Sequence, residues 1–254
     1  MLFDTLSCMP SSRSGRTHKP PYDAAHAIAE LSAADLKLGR LIERWGPFTM
    51  RLAATQSPFE ALAESIIYQQ VHANAARAIH SRMIESFHHV CGIGNHPSPE
   101  HILDCPNDQL RKAGLSHNKT LALRDLAAKT IDGTVPTLAK IKKMSDEEII
   151  EHLIQVRGVG KWTVEMLLIF RLGRSDVLPL DDFGVRKGFG FAFKKNRGAP
   201  TKDEMEKRGR RWQPYRSVAS WYLWRAADIA TQRERVQKSQ KPGAASDQKA
   251  QRRA

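Results

Sequence analysis

Two adjacent carboxylates, Asp181 and Asp182, follow a proline and precede the stretch FGVRKGF. This position predicts that Asp182 begins a helix, where the helix dipole favours an ionised carboxylate. A fixed carboxylate can stabilise positive charge that develops during bond cleavage, and it can orient or deprotonate an attacking water. Taken alone, such a pair is more typical of helix capping. Asp181 is predicted to be structural.

A second feature with a chemical use is the tripeptide Gly158-Val159-Gly160. Glycine allows positive φ and leaves no side chain between the backbone and a ligand. The tripeptide therefore predicts a tight hairpin, after which Gly160, Lys161 and Trp162 offer amide hydrogens at a helix start. That end of a helix favours an anion such as a DNA phosphate.

Two helices must position this hairpin. Ser145 and Glu148 fit a capping box, and apolar residues at helical spacing follow them. The second helix is predicted over residues 161–172, where a glycine stops it. A helix-hairpin-helix unit is thus predicted over residues 146–172.

The stretch VRGVGKWTV, residues 156–164, resembles the hairpin of the helix-hairpin-helix DNA glycosylases, which reads roughly L-x-G-V-G-x-x-T-A. Its G-x-W-T element and the Asp-Asp-aromatic turn at 181–183 are most similar to the alkyladenine branch, the 3-methyladenine DNA glycosylase II group. Three more segments match the family in order: PFEAL leading to IIYQQV (58–71), AGLS with Lys119, Thr120 and Leu123 (113–123), and WQPYRS with Trp224 (212–224).

The resemblance implies cleavage of the N-glycosidic bond between a damaged base and deoxyribose, with Asp182 as the catalytic carboxylate. Bifunctional relatives place a Schiff-base lysine two residues after the second hairpin glycine, and this position is Trp162 here. Lys161 lies one residue earlier, about 100° around the helix, and is expected to face a phosphate. A monofunctional enzyme that uses water and leaves an abasic site is therefore expected.

Aromatic residues are expected to select the substrate. Alkylated purines such as 3-methyladenine and 7-methylguanine carry positive charge, so they stack well on electron-rich rings. The resemblance implies Trp162 and Trp224 as the stacking residues, with Phe183 and Tyr68 as further walls of the pocket. For each ring, ordinary core packing is the alternative.

The implied DNA contacts lie on the hairpin and on the loop after the first core helix. They are Gly158, Gly160, Lys161 and Thr163 on the hairpin, and Gln69, Gln70 and His72 on the loop. Gln70 occupies the position of an apolar leucine in some relatives, so the residue that fills the gap left by a flipped base stays open. His72 fits an ordinary exposed loop histidine at least as well.

No cofactor is expected to be required. Family hairpins bind a monovalent cation, Na⁺ or K⁺, through backbone carbonyls, which would be those of Ile154, Val156 and Val159 here. The three cysteines, at positions 8, 91 and 105, fit neither a disulfide framework nor a zinc site. No iron–sulfur cluster is predicted, because no cysteines follow the catalytic segment.

Charge points to a polyanionic partner, and double-stranded DNA with alkylated bases is the expected one. The net charge is +13, of which residues 231–254 carry +5 and residues 1–20 carry +2. No apolar run is long enough to span a bilayer, so no membrane partner is expected. A monomer is expected, located in the nucleoid-containing cytoplasm of a bacterium or the nucleus of a eukaryote.

The periodicity predicts an all-α fold without an N-terminal β domain. The predicted helices cover 23–31, 33–45, 58–87, 99–104, 107–113, 117–131, 137–141, 146–156, 161–172, 182–191, 202–209 and 214–230. By resemblance, a central lobe (97–193) and a discontinuous terminal lobe (21–96 and 194–232) would enclose the active cleft. Residues 1–20 read as a flexible extension and residues 233–254 as a basic disordered tail.

Two other functions compete with this interpretation. One is a glycosylase of different scope, acting on hypoxanthine, ethenoadenine, uracil or oxidised bases. The other is a non-catalytic helix-hairpin-helix protein that only grips the DNA backbone. The second alternative has no use for Asp182 or Trp224.

Overall fold

The computed structural model describes residues 17–54, 57–91, 96–194 and 199–239. These ranges form an all-α fold, as predicted, with one antiparallel pair of two-residue strands. No helix within them is long and apolar enough to cross a membrane. The elements are β1 (Thr17–His18), α1 (Ala24–Ala34), α2 (Leu36–Trp45), β2 (Leu52–Ala53), α3 (Pro58–Tyr68), α4 (Ala73–Cys91), α5 (Pro99–Asp104), α6 (Asn107–Lys112), α7 (His117–Ile131), α8 (Leu138–Ile141), α9 (Asp146–Leu153), α10 (Lys161–Phe170), α11 (Phe183–Phe193), α12 (Lys202–Gly209), a 3₁₀ turn (Arg210–Trp212) and α13 (Arg216–Ser239).

Two predictions about the extent of helices are wrong. The predicted helix over 58–87 is two helices, α3 and α4, because Gln70 adopts a left-handed φ of 56° between them. No proline or glycine marks this break. The predicted disordered tail begins too early, since α13 continues to Ser239. Residues 240–254 and 1–16 lie outside the described residues, and the division into two lobes stays a prediction.

Local capping explains where α9 begins. The Ser145 hydroxyl accepts the Glu148 N–H at 3.2 Å, and the Glu148 carboxylate accepts the Ser145 N–H at 2.7 Å. This is the predicted capping box, which satisfies two amides that the helix cannot pair itself. The first helix of the hairpin unit is therefore fixed by sequence-local contacts.

Helices α11 and α13 approach each other at backbone distance. A Cβ added to Gly188 on α11 would lie 1.8 Å from the carbonyl oxygen of Leu223 on α13. Only glycine permits this approach. As a result, the start of α11 lies beside the fully buried Trp224 of α13.

A buried carboxylate ties the N-terminal helices to the later ones. Asp35, 3% exposed, caps α2 and accepts hydrogen bonds from Arg208 Nε at 2.7 Å and Trp212 Nε1 at 3.1 Å. Burial acts to raise the pKa of Asp35, but hydrogen bonds from Arg208, Trp212 and the Leu38 N–H lower it overall. Asp35 thus joins segments more than 170 residues apart in sequence.

Candidate active site

Asp182 is the N-cap of α11, as the sequence predicted. Its Oδ1 accepts the Val185 N–H at 2.7 Å, and only 5% of the residue is exposed. The capping and catalytic interpretations therefore do not exclude each other. Capping fixes the carboxylate with respect to the helix.

Both carboxylate oxygens of Asp182 also accept hydrogen bonds from indoles. Trp224 Nε1 donates to Oδ1 at 2.7 Å, and Trp162 Nε1 donates to Oδ2 at 2.8 Å. The donors come from α13 and α10, which lie on opposite sides of Asp182 in the sequence. Three elements therefore fix one carboxylate.

The predicted stacking role of Trp224 does not fit its position. The residue is 0% exposed, and its ring centroid lies 5.3 Å from that of Phe170, so no face is open to a base. Its contact with Asp182 depends on Gly184, where an added Cβ would lie 2.7 Å from Trp224 Cδ1. Sequence reasoning missed Gly184; its signal is a glycine two residues after Asp182.

The hairpin has the predicted backbone. Gly158 has a left-handed φ of 79°, and Gly160 is the N-cap of α10, with no side chain to cap the helix. Asp125 of α7 supports the hairpin from behind by accepting the Arg157 N–H at 2.7 Å. Both glycines are exposed, so the amides at the start of α10 are open to an external anion.

Comparison with known proteins agrees with this geometry. Residues 63–214 match the family described as "HhH-GPD superfamily base excision DNA repair protein". The chain is 36% identical over 211 residues to "DNA-3-methyladenine glycosylase 1" of Schizosaccharomyces pombe, covering 80% of this chain and 90% of the relative. It belongs to the HhH-GPD superfamily.

Solved structures agree with this assignment. The S. pombe 3-methyladenine DNA glycosylase in complex with abasic DNA superposes with a TM-score of 0.68 at 36% identity, covering 81% of this chain and 98% of that one. DNA-3-methyladenine glycosidase from Bacillus halodurans gives a TM-score of 0.72 at 30% identity, covering 85% and 94%. The chain is a member of the alkyladenine branch of the superfamily.

In this HhH-GPD chain, two exposed aromatic residues flank Asp182. Trp162 is 39% exposed and Phe183 is 61% exposed. Tyr68, predicted as a further wall, is half-buried, and its ring lies edge-on to His80 of α4 with centroids 6.4 Å apart. Its part in a base pocket stays a prediction.

Two predicted DNA contacts are placed differently by the structure. Thr163 is 6% exposed, so its side chain faces the core and only its backbone N–H belongs to the helix start. Gln69 donates from Nε2 to the Gly158 carbonyl at 2.9 Å, which ties the loop to the hairpin. Gln70 and His72 are exposed, as a DNA contact requires.

A second buried carboxyl group, Glu165, lies near the site and was not predicted. Glu165 is 5% exposed, and its Oε1 lies 3.9 Å from Lys161 Nζ. Burial raises the pKa of Glu165 to about 7, and the nearby charges of Asp181 and Asp182 also raise it. Asp181 is exposed and its Oδ1 lies 2.5 Å from Lys202 Nζ, while its structural role stays a prediction.

Proposed function

We propose that this DNA glycosylase of base excision repair flips alkylated purines out of duplex DNA and hydrolyses their N-glycosidic bond with Asp182. The observation that carries the proposal is the Asp182 carboxylate, held at a helix start with indole N–H donors on both oxygens. The reaction places positive charge on the deoxyribose ring. A preorganised carboxylate stabilises that charge without having to reorient.

Substrate can approach from the side of Trp162. The carboxylate is almost covered, and of its two indole partners only Trp162 is exposed. We expect the Trp162 ring to move when a nucleotide enters, which would free Oδ2 to face C1′ and a water. The same exposed ring, together with Phe183, offers electron-rich faces to a positively charged purine. The buried Trp224 indole would remain hydrogen-bonded to Asp182 Oδ1.

The DNA backbone would be held by the hairpin. The uncapped start of α10 offers amide hydrogens, and the exposed Lys161 side chain adds a positive charge. Gln70 is a candidate for filling the gap left by the flipped base. It is exposed, and its left-handed φ of 56° is a strained conformation of the kind that occurs at functional sites.

Base release would use water and involve no lyase step. The family's lysine position is Trp162, and the exposed Lys161 ammonium lies 3.9 Å from Oε1 of the buried Glu165. Borohydride treatment during the reaction is therefore expected to trap no covalent protein–DNA adduct. A trapped adduct would show a Schiff base and contradict this part of the proposal.

A monovalent cation, when present, would bind at the hairpin through backbone carbonyls. The Val156 carbonyl accepts the Val159 N–H at 3.0 Å and retains a second lone pair for an ion, as a carbonyl with two lone pairs can. The carbonyls of Ile154, Val156 and Val159 would hold the ion, which would add positive charge near a DNA phosphate. Within the described ranges no cluster of acidic, histidine or cysteine side chains could hold a metal ion.

We further propose a monomer that acts in the compartment holding the DNA.

The decisive experiment compares Asp182→Asn with Asp181→Asn on duplex DNA containing methylated purines. Asp182→Asn should bind the lesion duplex but release base about 10²–10³-fold more slowly, since the amide carries no charge. Asp181→Asn, one residue away and exposed, should retain the wild-type rate. Release of methylated bases by Asp182→Asn at the wild-type rate would remove this carboxylate from the mechanism.

A further inference from the structure

One face of α13 carries polar side chains inside the core. Ser217, Ser220 and Trp224 recur at intervals of three and four residues, which places them on the same side of the helix. All three are 0% exposed. Polar groups so deeply buried need hydrogen-bond partners, and the partners of the two serines lie on one stretch of chain.

That stretch is the connecting segment, residues 173–178, which leads from α10 towards the turn at 181–183 that contains Asp182. The Ser217 hydroxyl donates to the Arg174 carbonyl at 2.7 Å and accepts the Val177 N–H at 3.0 Å. Ser220 donates to the Val177 carbonyl at 3.3 Å. The same helix face then reaches Asp182 through Trp224, at the far end of the row.

Hydrogen bonds of two arginine side chains also fix the connecting segment. Arg216, the first residue of α13, binds Asp176 with two hydrogen bonds, from Nε at 2.7 Å and Nη2 at 2.9 Å. Arg174, which belongs to the segment itself, donates to the Met144 carbonyl at 2.8 Å. Met144 lies just before α9, the first helix of the hairpin unit. The segment is therefore fixed both to α13 and to the start of the hairpin unit.

We propose that Ser217 and Arg216 are positioning residues, which set the Asp182 carboxylate against the Trp224 indole through the connecting segment. The hydrogen bonds of both side chains go to this segment and not to the catalytic carboxylate. They fix the backbone five to eight residues before Asp182, while the same helix supplies the indole donor. A shift of the segment along α13 would thus separate carboxylate and donor. This inference rests on the proposed catalytic role of Asp182.

The test uses the full chain labelled with ¹⁵N, whose five tryptophans give separate indole N–H signals. Trp224→Phe assigns the Trp224 signal. Ser217→Ala should move that signal and lower the single-turnover rate of base release about ten- to a hundredfold. Its Kd for a duplex with an abasic-site analogue should stay as in the wild type, since the hairpin is intact.

Thr231→Val is the matched control, because it removes a hydroxyl on the same helix that donates to the Ala227 carbonyl at 2.8 Å. It should leave signal, rate and Kd unchanged. An unmoved Trp224 signal or an unchanged rate in Ser217→Ala would overturn the proposal. So would a rate that falls only in step with duplex affinity, because such a result indicates general unfolding.

Should Ser217→Ala fail to fold, Arg216→Lys provides the same readouts. Its side chain is 27% exposed, and lysine keeps the charge but cannot make the paired contact with Asp176. Wild-type protein that releases no base would refute the proposed function instead. The indole signals would still report on whether the connecting segment positions Asp182.

Discussion

The hairpin and the turn at Asp181–Asp182 are both helix starts, and they differ in what occupies the helix end. At α10 the N-cap is Gly160, which contributes no side chain, and the first amides face outward. At α11 the N-cap is Asp182, whose own carboxylate fills the same place and is buried. One helix start is open to an anion from outside, while the other holds the protein's own anion.

Under the proposed function, this difference separates DNA binding from bond cleavage. A bare helix start can attract any phosphate, so it suits a grip that does not depend on DNA sequence. A carboxylate fixed by Trp162 and Trp224 cannot reorient freely, so it suits a charge that develops at one atom. Glycine serves both regions, because Gly160 leaves room for a ligand and Gly184 leaves room for an indole.

Among the variants that leave Asp182 itself in place, the largest effect is expected from Gly184→Ala. The new methyl group would meet Trp224 Cδ1 at 2.7 Å and push the indole away from Asp182. The single-turnover rate of base release should fall about a hundredfold, while the Kd for duplex DNA stays unchanged. A wild-type rate in this variant would show that the Trp224 contact does not matter for the chemistry.

The same change at the other helix start, Gly160→Ala, should have the opposite signature. No atom lies within 4 Å of the added Cβ, so the free protein should fold normally. The methyl group would block close approach of a phosphate and weaken duplex binding about tenfold, with an unchanged rate at saturating enzyme. A lower rate with unchanged affinity would break the proposed division between the two regions.

The variant Glu165→Gln tests whether the charges at one helix start affect a carboxyl group at the other. The pKa of Glu165 is raised by burial to about 7 from 4.5, so the folded protein holds this proton more tightly than the unfolded chain. The contribution of Glu165 to the free energy of unfolding therefore declines as pH rises from 4.5 to 7, and it is smallest above pH 7. Glu165→Gln should melt about 2–4 °C higher than wild type at pH 8 and show no such gain at pH 5.

The exposed Glu151 gives the matched control, since Glu151→Gln on α9 should not alter the pH dependence of melting. Combining Glu165→Gln with Asp182→Asn extends the comparison. If the gain at pH 8 shrinks in the Asp182→Asn background, the carboxylates of both regions interact. Equal gains in both backgrounds would mean that the Asp182 charge does not contribute to the raised pKa of Glu165.

The smallest effect is expected from deleting residues 240–254, which hold four Lys/Arg and one Asp. If this segment neutralises phosphates, the dependence of log K on log salt should become less steep, by about 0.9 for each phosphate that is no longer neutralised. The rate of base release should not change. An unaltered salt slope would show that residues 240–254 neutralise no phosphate.

Local patterns sufficed for part of the molecule. The capping box at Ser145, the hairpin glycines and the N-cap role of Asp182 were all predicted, because each depends on residues within one turn of a helix. The break between α3 and α4 was not predicted, since Gln70 adopts its left-handed φ without any glycine or proline as a signal. Trp224 was identified as a site residue, but its stacking role was not supported.

The sequence by itself determined the helix starts and the family, because capping and hairpin formation act over a few residues and the motifs follow one another along the chain. Only the tertiary structure decided which tryptophans direct their indole N–H groups to Asp182 and which ring remains exposed. Trp162 and Trp224 lie 20 and 42 residues from Asp182, and their indole N–H groups meet its carboxylate only when α10, α11 and α13 pack together. Packing also made Thr163 a core residue and Glu165 a buried acid. The solvent exposure of a side chain depends on distant segments, which no local pattern records.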